Sequence, residues 1–276
     1  SILFVDRNAD ARQTINTTII KPAVMDRTNK TKIFFSAREL NELFNGNFND
    51  IFKSDESSVV LNKTEKQKLN HFNEFVNDGL KKMGMNYQLL LENRTIKSGD
   101  TDTELRTNQY LLQIKMNKPE IVIPLNECGM GNTILISVLG SMYKATNMPQ
   151  NTIFGRRKFK TKEIVVIREP ETYLHPLWIS NLCEYLFELT LKNKNLKLII
   201  ETHSEQVLRK TQLLVKDFYK TEKDRKNKTF VDDLVKVLYV ERKTRAAVPF
   251  SDIADLGIKN NGFLSKKIPT GFYDVN

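Results

Sequence analysis

Residues 163–205 read EIVVIREPETYLHPLWISNLCEYLFELTLKNKNLKLIIETHSE. Two short apolar runs, 164–167 and 196–200, each end abruptly in charged and polar residues. Such runs are typical of buried parallel strands, and the segment between them has apolar residues at helical spacing. The stretch therefore predicts a strand–helix–strand unit. Because open α/β sheets bind ligands beyond the carboxyl ends of their strands, we expect the functional residues at 168–171 and 201–205.

The composition is that of an ordinary soluble globular protein. The 276 residues are 40% hydrophobic and 28% charged, which suffices for one large domain or two small ones. No apolar run is long enough to span a bilayer, and the start of the chain has no signal-peptide pattern. We therefore expect a cytoplasmic protein with no membrane contact.

The cysteines and the net charge restrict the function classes. Cys128 and Cys183 are the two cysteines of the sequence, and their spacing matches no zinc motif. This pattern fits a reducing compartment and excludes a cysteine-based zinc site. The formal net charge of +10 permits an anionic partner, either nucleic acid or nucleotide. The basic residues within 156–160 are either a solvated loop or a DNA contact, and the loop is the simpler interpretation.

Periodicity predicts further elements upstream of the decisive stretch. Apolar residues recur at helical spacing over 64–83, which indicates an amphipathic helix. Residues 87–91 and 110–116 are typical of the two strands of a hairpin. The apolar run at 119–125 predicts a strand that leads through a glycine-containing loop into a helix beginning near Thr133.

Three segments, in this order, resemble motifs of one class of ATPase. Residues 164–176, IVVIREPETYLHP, resemble the Walker B and D-loop segment of ABC/SMC-type ATPases, in the form used by RecF-like and OLD-like AAA families of prokaryotic phage-defence systems. Residues 199–205, IIETHSE, resemble the H-loop of these families. Residues 127–133, ECGMGNT, stand where the families carry a glycine-rich signature. Residues 268–274, IPTGFYD, resemble the terminus of a C-terminal module of unknown function attached to such ATPases.

The resemblance implies an α/β fold. It implies an ABC-ATPase-like lobe with a mostly parallel sheet flanked by helices, plus a smaller mixed α+β N-terminal part. We assign residues 1–118 to the middle part of the ATPase fold, with a strand, helices and a hairpin. We assign residues 119–276 to the C-terminal ABC-like lobe, which carries the signature, Walker B, D-loop and H-loop and ends in the C-terminal module.

The Walker A P-loop, Gly-x-x-x-x-Gly-Lys-Ser/Thr, is absent from the sequence. In the resembling families it lies N-terminal to the motifs above. We therefore expect either the C-terminal portion of a longer protein or a chain that does not bind ATP conventionally.

The glycine-rich segment suits an anion. Glycines let the backbone approach a phosphate closely, and a following helix N-terminus offers free N–H groups. The resemblance implies that Gly129, Gly131, Asn132 and Thr133 contact the γ-phosphate of an ATP held by a partner subunit. Asn132 and Thr133 stand where these families often have Ser and Gln. The alternative is that a Gly-x-Gly before a helix is simply a turn.

The Walker B resemblance assigns the catalytic roles. Glu169 matches the glutamate that polarises the attacking water, and His203 matches the histidine that hydrogen-bonds to the γ-phosphate. Arg168 stands where these families have the acidic residue that orders Mg²⁺. A cation is not a Mg²⁺ ligand, so we predict no metal-binding residues, treat Mg²⁺ as doubtful, and expect Arg168 to contact a phosphate oxygen instead. In another alignment Glu169 is the metal-site carboxylate, but the Pro-Glu and Leu-His-Pro register opposes it.

Two further residues near this motif have competing interpretations. The resemblance implies that His175 touches the opposite subunit, whereas Pro176 behind it is typical of a simple helix start. Glu171 is most simply a cap for the turn or helix that follows.

Two function classes follow from these residues. In the first, the protein is an ATPase subunit that binds ATP at a head-to-tail interface in a homodimer or higher oligomer. It would control a DNA-directed effector or nuclease in phage defence or DNA repair, with weak or lost hydrolysis. In the second, it is a non-catalytic pseudo-ATPase scaffold that assembles a nuclease or other effector. Arg168 favours the second class, and Glu169 and His203 favour the first. A nuclease of the OLD type would need an added metal-binding module, and nothing after His203 has that pattern.

Overall fold

The computed structural model describes residues 2–3, 15–20, 34–35, 37–44, 63–98, 105–147, 151–154, 157–160, 162–221, 234–243 and 250–267. In chain order, its α-helices are α1 (Ala37–Leu43), α2 (Lys63–Lys82), α3 (Met130–Asn147), α4 (Pro176–Lys192) and α5 (Glu205–Thr221). None of these helices is long and apolar enough to cross a membrane. The strands are β1 (Ile2–Leu3), β2 (Ile15–Ile20), β3 (Phe34–Phe35), β4 (Tyr87–Ser98), β5 (Leu105–Asn117), β6 (Glu120–Pro124), β7 (Asn151–Phe154), β8 (Arg157–Lys160), β9 (Lys162–Arg168), β10 (Leu196–Glu201), β11 (Leu238–Lys243) and β12 (Phe250–Asp255).

The chain divides into two compact units. We call Ser1–Ile19 with Gln150–Asn276 the β9–β10 unit, and Ile20–Pro149 the hairpin unit. This boundary differs from the sequence division after residue 118, which stays a prediction about sequence domains. The resemblance at 268–274 lies outside the described residues.

The β9–β10 unit contains the predicted strand–helix–strand arrangement. β10 pairs with β9 in parallel, β2 pairs with β9 on its other side, and α4 connects β9 to β10. Val165 and Ile167 are buried because alternate side chains of a strand point to the same face of the sheet. α4 packs against α5, with the rings of Phe187 and Phe218 perpendicular and 6.1 Å apart. The predicted adjacency of the two apolar runs is therefore confirmed.

A second sheet in this unit packs near α5. β11 lies between β1 and β12, and both pairings are antiparallel. One apolar core joins α5 to the segments around β11 and β12, and its buried members are Leu208, Val215, Tyr219, Val235, Val237, Leu256 and Ile258. β7 and β8 pair as an antiparallel hairpin, and β8 lies within the basic segment interpreted above as a loop.

The hairpin unit takes its name from β4 and β5. They pair antiparallel from Tyr87↔Met116 to Ser98↔Leu105, so the predicted hairpin is confirmed and is longer than the apolar pattern indicates. β6 pairs antiparallel with the other side of β5, and β3 also pairs with β5. The prediction of a mostly parallel sheet is thus wrong for β6. Its two-residue connection to β5 is too short for the crossover that parallel strands need.

The helices of the hairpin unit share an aromatic core. The Phe72 ring of α2 meets the Phe44 and Tyr143 rings edge to face, at 5.0 and 5.2 Å between centroids. Ser137 and Ser141 of α3 donate hydrogen bonds to the backbone oxygens of Leu43 and Phe44, the latter at 2.7 Å. These bonds satisfy carbonyls that the end of α1 leaves without helical partners, and so they tie α1 to α3.

Candidate functional site

The parallel pairing of β9 and β10 aligns their carboxyl ends. Ile167 stands opposite Ile200, and Arg168 stands opposite Glu201. The two strands therefore each reach an isoleucine at the same level, and both continue with a charged residue. This shared edge brings together the polar residues that the sequence predicts to be functional.

Arg168 and Glu201 form an ion pair across this edge. The Nε atom of Arg168 donates to Oε2 of Glu201 at 2.7 Å, and the two side chains are 48% and 30% exposed. The positive charge at the predicted metal-ordering position is therefore balanced by a carboxylate of the neighbouring strand. A phosphate contact by Arg168 stays a prediction.

Glu169 leaves the strand at an unusual backbone angle. Its N–H donates to the Glu201 carbonyl at 2.7 Å, so the strand pairing continues one residue beyond β9. Its φ of 47° is in the left-handed region, which residues other than Gly, Asn and Asp seldom adopt, and which is found at strained functional positions. The chain turns there, and the Glu169 carboxylate lies 3.6 Å from Nε2 of His203. The two residues predicted to be catalytic are thus neighbours.

Glu171 is the functional candidate that the sequence interpretation did not select. Its Oε1 atom accepts hydrogen bonds from the Thr202 hydroxyl at 2.6 Å and from the His203 N–H at 3.0 Å. Of the two expected capping roles, at the following turn or helix, the one at the helix is wrong, because α4 begins at Pro176 and its N-cap is His175. The linear sequence separates Glu171 from Thr202 by a whole helix. Only the prediction that the two strand ends share an edge pointed to this contact.

His175 performs the structural role that the sequence offered as its simpler interpretation. Its Nδ1 atom accepts a hydrogen bond from the Leu177 N–H at 3.2 Å, and Pro176 occupies the first turn of α4. A capping acceptor and a proline at this position both favour helix initiation. Contact of His175 with a second subunit stays a prediction.

The signature residues lie in the hairpin unit, and α3 begins earlier than predicted. Because the helix starts at Met130 rather than near Thr133, Gly131, Asn132 and Thr133 are in its first turn. Thr133 is 2% exposed, and the Asn132 side-chain oxygen accepts a hydrogen bond from the Tyr87 hydroxyl at 2.8 Å. Gly129 is exposed, and a Cβ atom there would meet nothing within 4 Å. Of the four, Gly129 has the most open surroundings, and phosphate contacts for this set stay predictions.

The charge arrangement at the strand ends does not match a metal centre. The described ranges hold no group of three or more His, Cys, Asp or Glu residues that could bind a metal ion. Arg168 occupies the position of the expected acidic residue, and its partner Glu201 is already neutralised by it. Arg168 and its partner Glu201 therefore offer no free carboxylate to Mg²⁺ at this position, and the absence of metal-binding residues stays a prediction.

Neither cysteine is activated for catalysis. Burial, together with the nearby Glu171 carboxylate, raises the pKa of the Cys183 thiol to about 12. Burial likewise raises the pKa of Cys128 to about 11, with a contribution from Glu127. Because the thiolate is the reactive form, both side chains are inert at neutral pH.

Comparisons with known proteins place the chain in a family. The model of the AAA ATPase domain matches residues 6–208, which include β9, α4, β10 and the start of α5. No curated protein matches the chain. A solved structure of the Smc head domain with an extended coiled coil, bound to the C-terminal domain of ScpA and derived from Pyrococcus furiosus, is 10% identical with a TM-score of 0.40. The similarity covers 70% of this chain but 36% of that one, and it supports no conclusion about activity or partners. Because the AAA ATPase model spans more than half of the sequence, the protein belongs to the AAA ATPase domain family.

Proposed function

We propose that the protein binds ATP at the carboxyl ends of β9 and β10 and hydrolyses it slowly or not at all. Membership in the AAA ATPase family implies nucleotide binding. The observation that carries the choice of site is the 3.6 Å approach of Glu169 and His203. Their side chains are 45% and 63% exposed, so a ligand can reach both. This is also the edge at which open α/β sheets bind their ligands.

The two residues have complementary chemistry. A carboxylate can accept a hydrogen bond from water, so Glu169 would orient the water that attacks the γ-phosphate. An imidazole N–H can donate a hydrogen bond to a phosphate oxygen, which is the role proposed for His203. In the unliganded arrangement the two side chains face each other, and bound nucleotide would use the His203 donor instead.

The ion pair of Arg168 and Glu201 is the basis for slow hydrolysis. ABC/SMC-type engines use an acidic residue at the position of Arg168 to order Mg²⁺, which neutralises charge on the transferred phosphoryl group. In this chain a cation stands there and binds the adjacent carboxylate at 2.7 Å. This arrangement is compatible with binding of ATP through Arg168 and His203, but it is not compatible with metal-assisted phosphoryl transfer.

The same ion pair favours a second candidate function. A pseudo-ATPase scaffold would keep the fold and its interaction surfaces without turnover, and it would assemble a nuclease or another effector. Measurement of ATP binding and phosphate release together distinguishes the candidates. Binding with slow release supports the first, absence of both supports the second, and binding without release is compatible with either.

We further propose that the protein is a cytoplasmic homodimer or higher oligomer that controls a DNA-directed partner in phage defence or DNA repair. Tyr173 and Leu177, on either side of His175, are 69% and 60% exposed. Two large exposed hydrophobic side chains close in sequence are consistent with a protein contact surface, which supports a subunit contact at the predicted D-loop. The net charge of +10 supports a partner that acts on nucleic acid.

The test measures ATP binding and phosphate release by the full-length protein, with and without Mg²⁺. We expect His203→Ala to weaken ATP binding about tenfold, because it removes one hydrogen bond to a charged group. Glu169→Gln should change the already slow release little. Glu188→Gln is the matched control, since Glu188 is exposed and paired with Lys192 on α4. Brisk Mg²⁺-dependent hydrolysis that Glu169→Gln abolishes would overturn the proposal of slow turnover.

Oligomeric state is tested separately by light scattering with and without ATP. We expect a dimer or larger species. A strict monomer under every condition would contradict the proposed subunit contact while leaving the ATP site untouched.

A further inference from the structure

We propose that Glu171 is a positioning residue whose carboxylate joins the loop after β9 to the loop after β10 and fixes the backbone at His203. The inference rests on the proposed function, because it concerns how the phosphate contact of His203 is held in place. Oε1 of Glu171 accepts from the Thr202 hydroxyl at 2.6 Å and from the His203 N–H at 3.0 Å. Hydrogen bonds to an ionised carboxylate are stronger than those between neutral groups.

Two successive backbone turns place Glu171 next to the end of β10. Glu169 turns the chain in the left-handed conformation, and its carbonyl accepts from the Thr172 N–H at 3.1 Å. The Glu171 carbonyl then accepts from the Leu174 N–H at 3.0 Å, and the Leu174 side chain is 8% exposed. The loop is therefore closed by its own hydrogen bonds and anchored by Leu174 before α4 begins.

Thr202 both donates and accepts a hydrogen bond at this contact. Its side chain is fully buried, and its hydroxyl donates its one proton to Glu171 while accepting from the Ser204 N–H at 3.0 Å. Three successive residues, Thr202 to Ser204, are thus organised around one carboxylate oxygen. His203 is the central residue of the three, so its ring extends into solvent from a fixed backbone.

The other carboxylate oxygen indicates a function beyond stability. Oε2 of Glu171 is buried and has no hydrogen-bond partner among the described residues. A buried acceptor without a partner opposes folding. Glu171 thus organises a loop through Oε1 while its Oε2 lowers the stability of the fold. Such a cost is expected where the loop has a functional role.

The first experiment needs no nucleotide. Amide hydrogen exchange is measured at His203 and Ser204 in the full-length protein and in Glu171→Ala, Glu171→Gln and the control Glu188→Ala. We expect Glu171→Ala to accelerate exchange at His203 about tenfold or more, because the acceptor of its N–H is lost. Glu171→Gln keeps an acceptor oxygen and should retain most of the protection. Unchanged exchange in Glu171→Ala would overturn the proposal.

A double-mutant cycle then tests whether Glu171 acts through His203. We expect Glu171→Ala to weaken ATP binding about tenfold in the parent protein and to have no further effect in the His203→Ala background. Equal losses in both backgrounds would show that Glu171 affects binding by another route and would overturn its positioning role. If the parent protein bound no ATP, the proposed function would fail, and the exchange experiment would still decide the role of Glu171.

Discussion

Replacement of Arg168 by aspartate tests whether its ion pair excludes Mg²⁺ from the site. Arg168 and Glu201 are direct neighbours in the parallel register, and neighbouring strands lie about 4.8 Å apart. Arg168→Asp removes an exposed ion pair worth about 0–1 kcal/mol. It also places two carboxylates about 5 Å apart, which adds about 1 kcal/mol of repulsion in water-like surroundings. The variant should therefore lose about 1–2 kcal/mol at neutral pH and low salt.

Thermal unfolding measures this loss and its reversal by metal. A loss of this size corresponds to a decrease in melting temperature of about 2–8 °C for a protein of this size class. Millimolar Mg²⁺ should restore the stability of Arg168→Asp by binding the new carboxylate pair, and it should have little effect on the parent protein. NaCl at matched ionic strength is the control, because screening alone also reduces the repulsion. Phosphate release by the full-length variant should increase together with the Mg²⁺ response if a P-loop is available to the site.

Two outcomes would refute this reasoning. If the parent protein gained as much stability from Mg²⁺ as Arg168→Asp does, the metal would bind without a carboxylate at residue 168. If the charge-swapped variant Arg168→Glu with Glu201→Arg were no more stable than Arg168→Asp, the neighbouring positions would not form an interacting pair.

Three other predictions concern the scaffold around the site. Gly140→Ala should destabilise the protein by about 1–3 kcal/mol in thermal unfolding, because its Cβ would lie 2.2 Å from the buried Phe44 ring. A gain in stability from the better helix former would contradict this. Gly262→Ala should cost a similar amount, since φ is +84° and the Cβ would lie 2.4 Å from the Gln212 carbonyl oxygen; unchanged melting would contradict it. Burial raises the pKa of the Cys183 thiol to about 12 in the folded protein. The contribution of the buried neutral thiol to folding stability is therefore complete below the unfolded pKa of about 8.5, and it is lost as the pH rises through the pKa of the folded protein. In denaturant unfolding, the free energy of unfolding of the parent protein should fall by about 2 kcal/mol by pH 10, and Cys183→Ala should lack this decrease. The same dependence of the free energy of unfolding on pH in both proteins would contradict the prediction.

The strand–helix–strand core could be predicted from the sequence because its signals are local. Each apolar run ends at a charged residue, and the helix between them has a regular apolar face, so β9, α4 and β10 follow from periodicity. The sheet around β6 could not be predicted in the same way. An apolar strand has the same pattern in parallel and antiparallel sheets, and only the two-residue turn before β6 distinguishes them.

The candidate site could be predicted in part. The motif resemblance identified Glu169 and His203, and the structure places their side chains together. It could not identify the partner of Arg168, because Glu201 is 33 residues away and becomes a neighbour only through the strand register. Glu171 was missed for a related reason. Its contacts depend on a left-handed turn at Glu169, and a glutamate gives no sequence signal for that conformation.

At the strand ends, each of three carboxylates has a contact with another protein group. In the described residues, Glu201 is paired with Arg168, Glu169 faces His203, and Glu171 accepts two hydrogen bonds. In the proposed site, an entering phosphate would be attracted by Arg168 and by the His203 donor and repelled by Glu169. If nucleotide binds at this edge as proposed, we expect it to replace the contact between His203 and Glu169. If Glu171 holds the His203 backbone as proposed, rotation of the imidazole side chain alone would exchange one partner for the other.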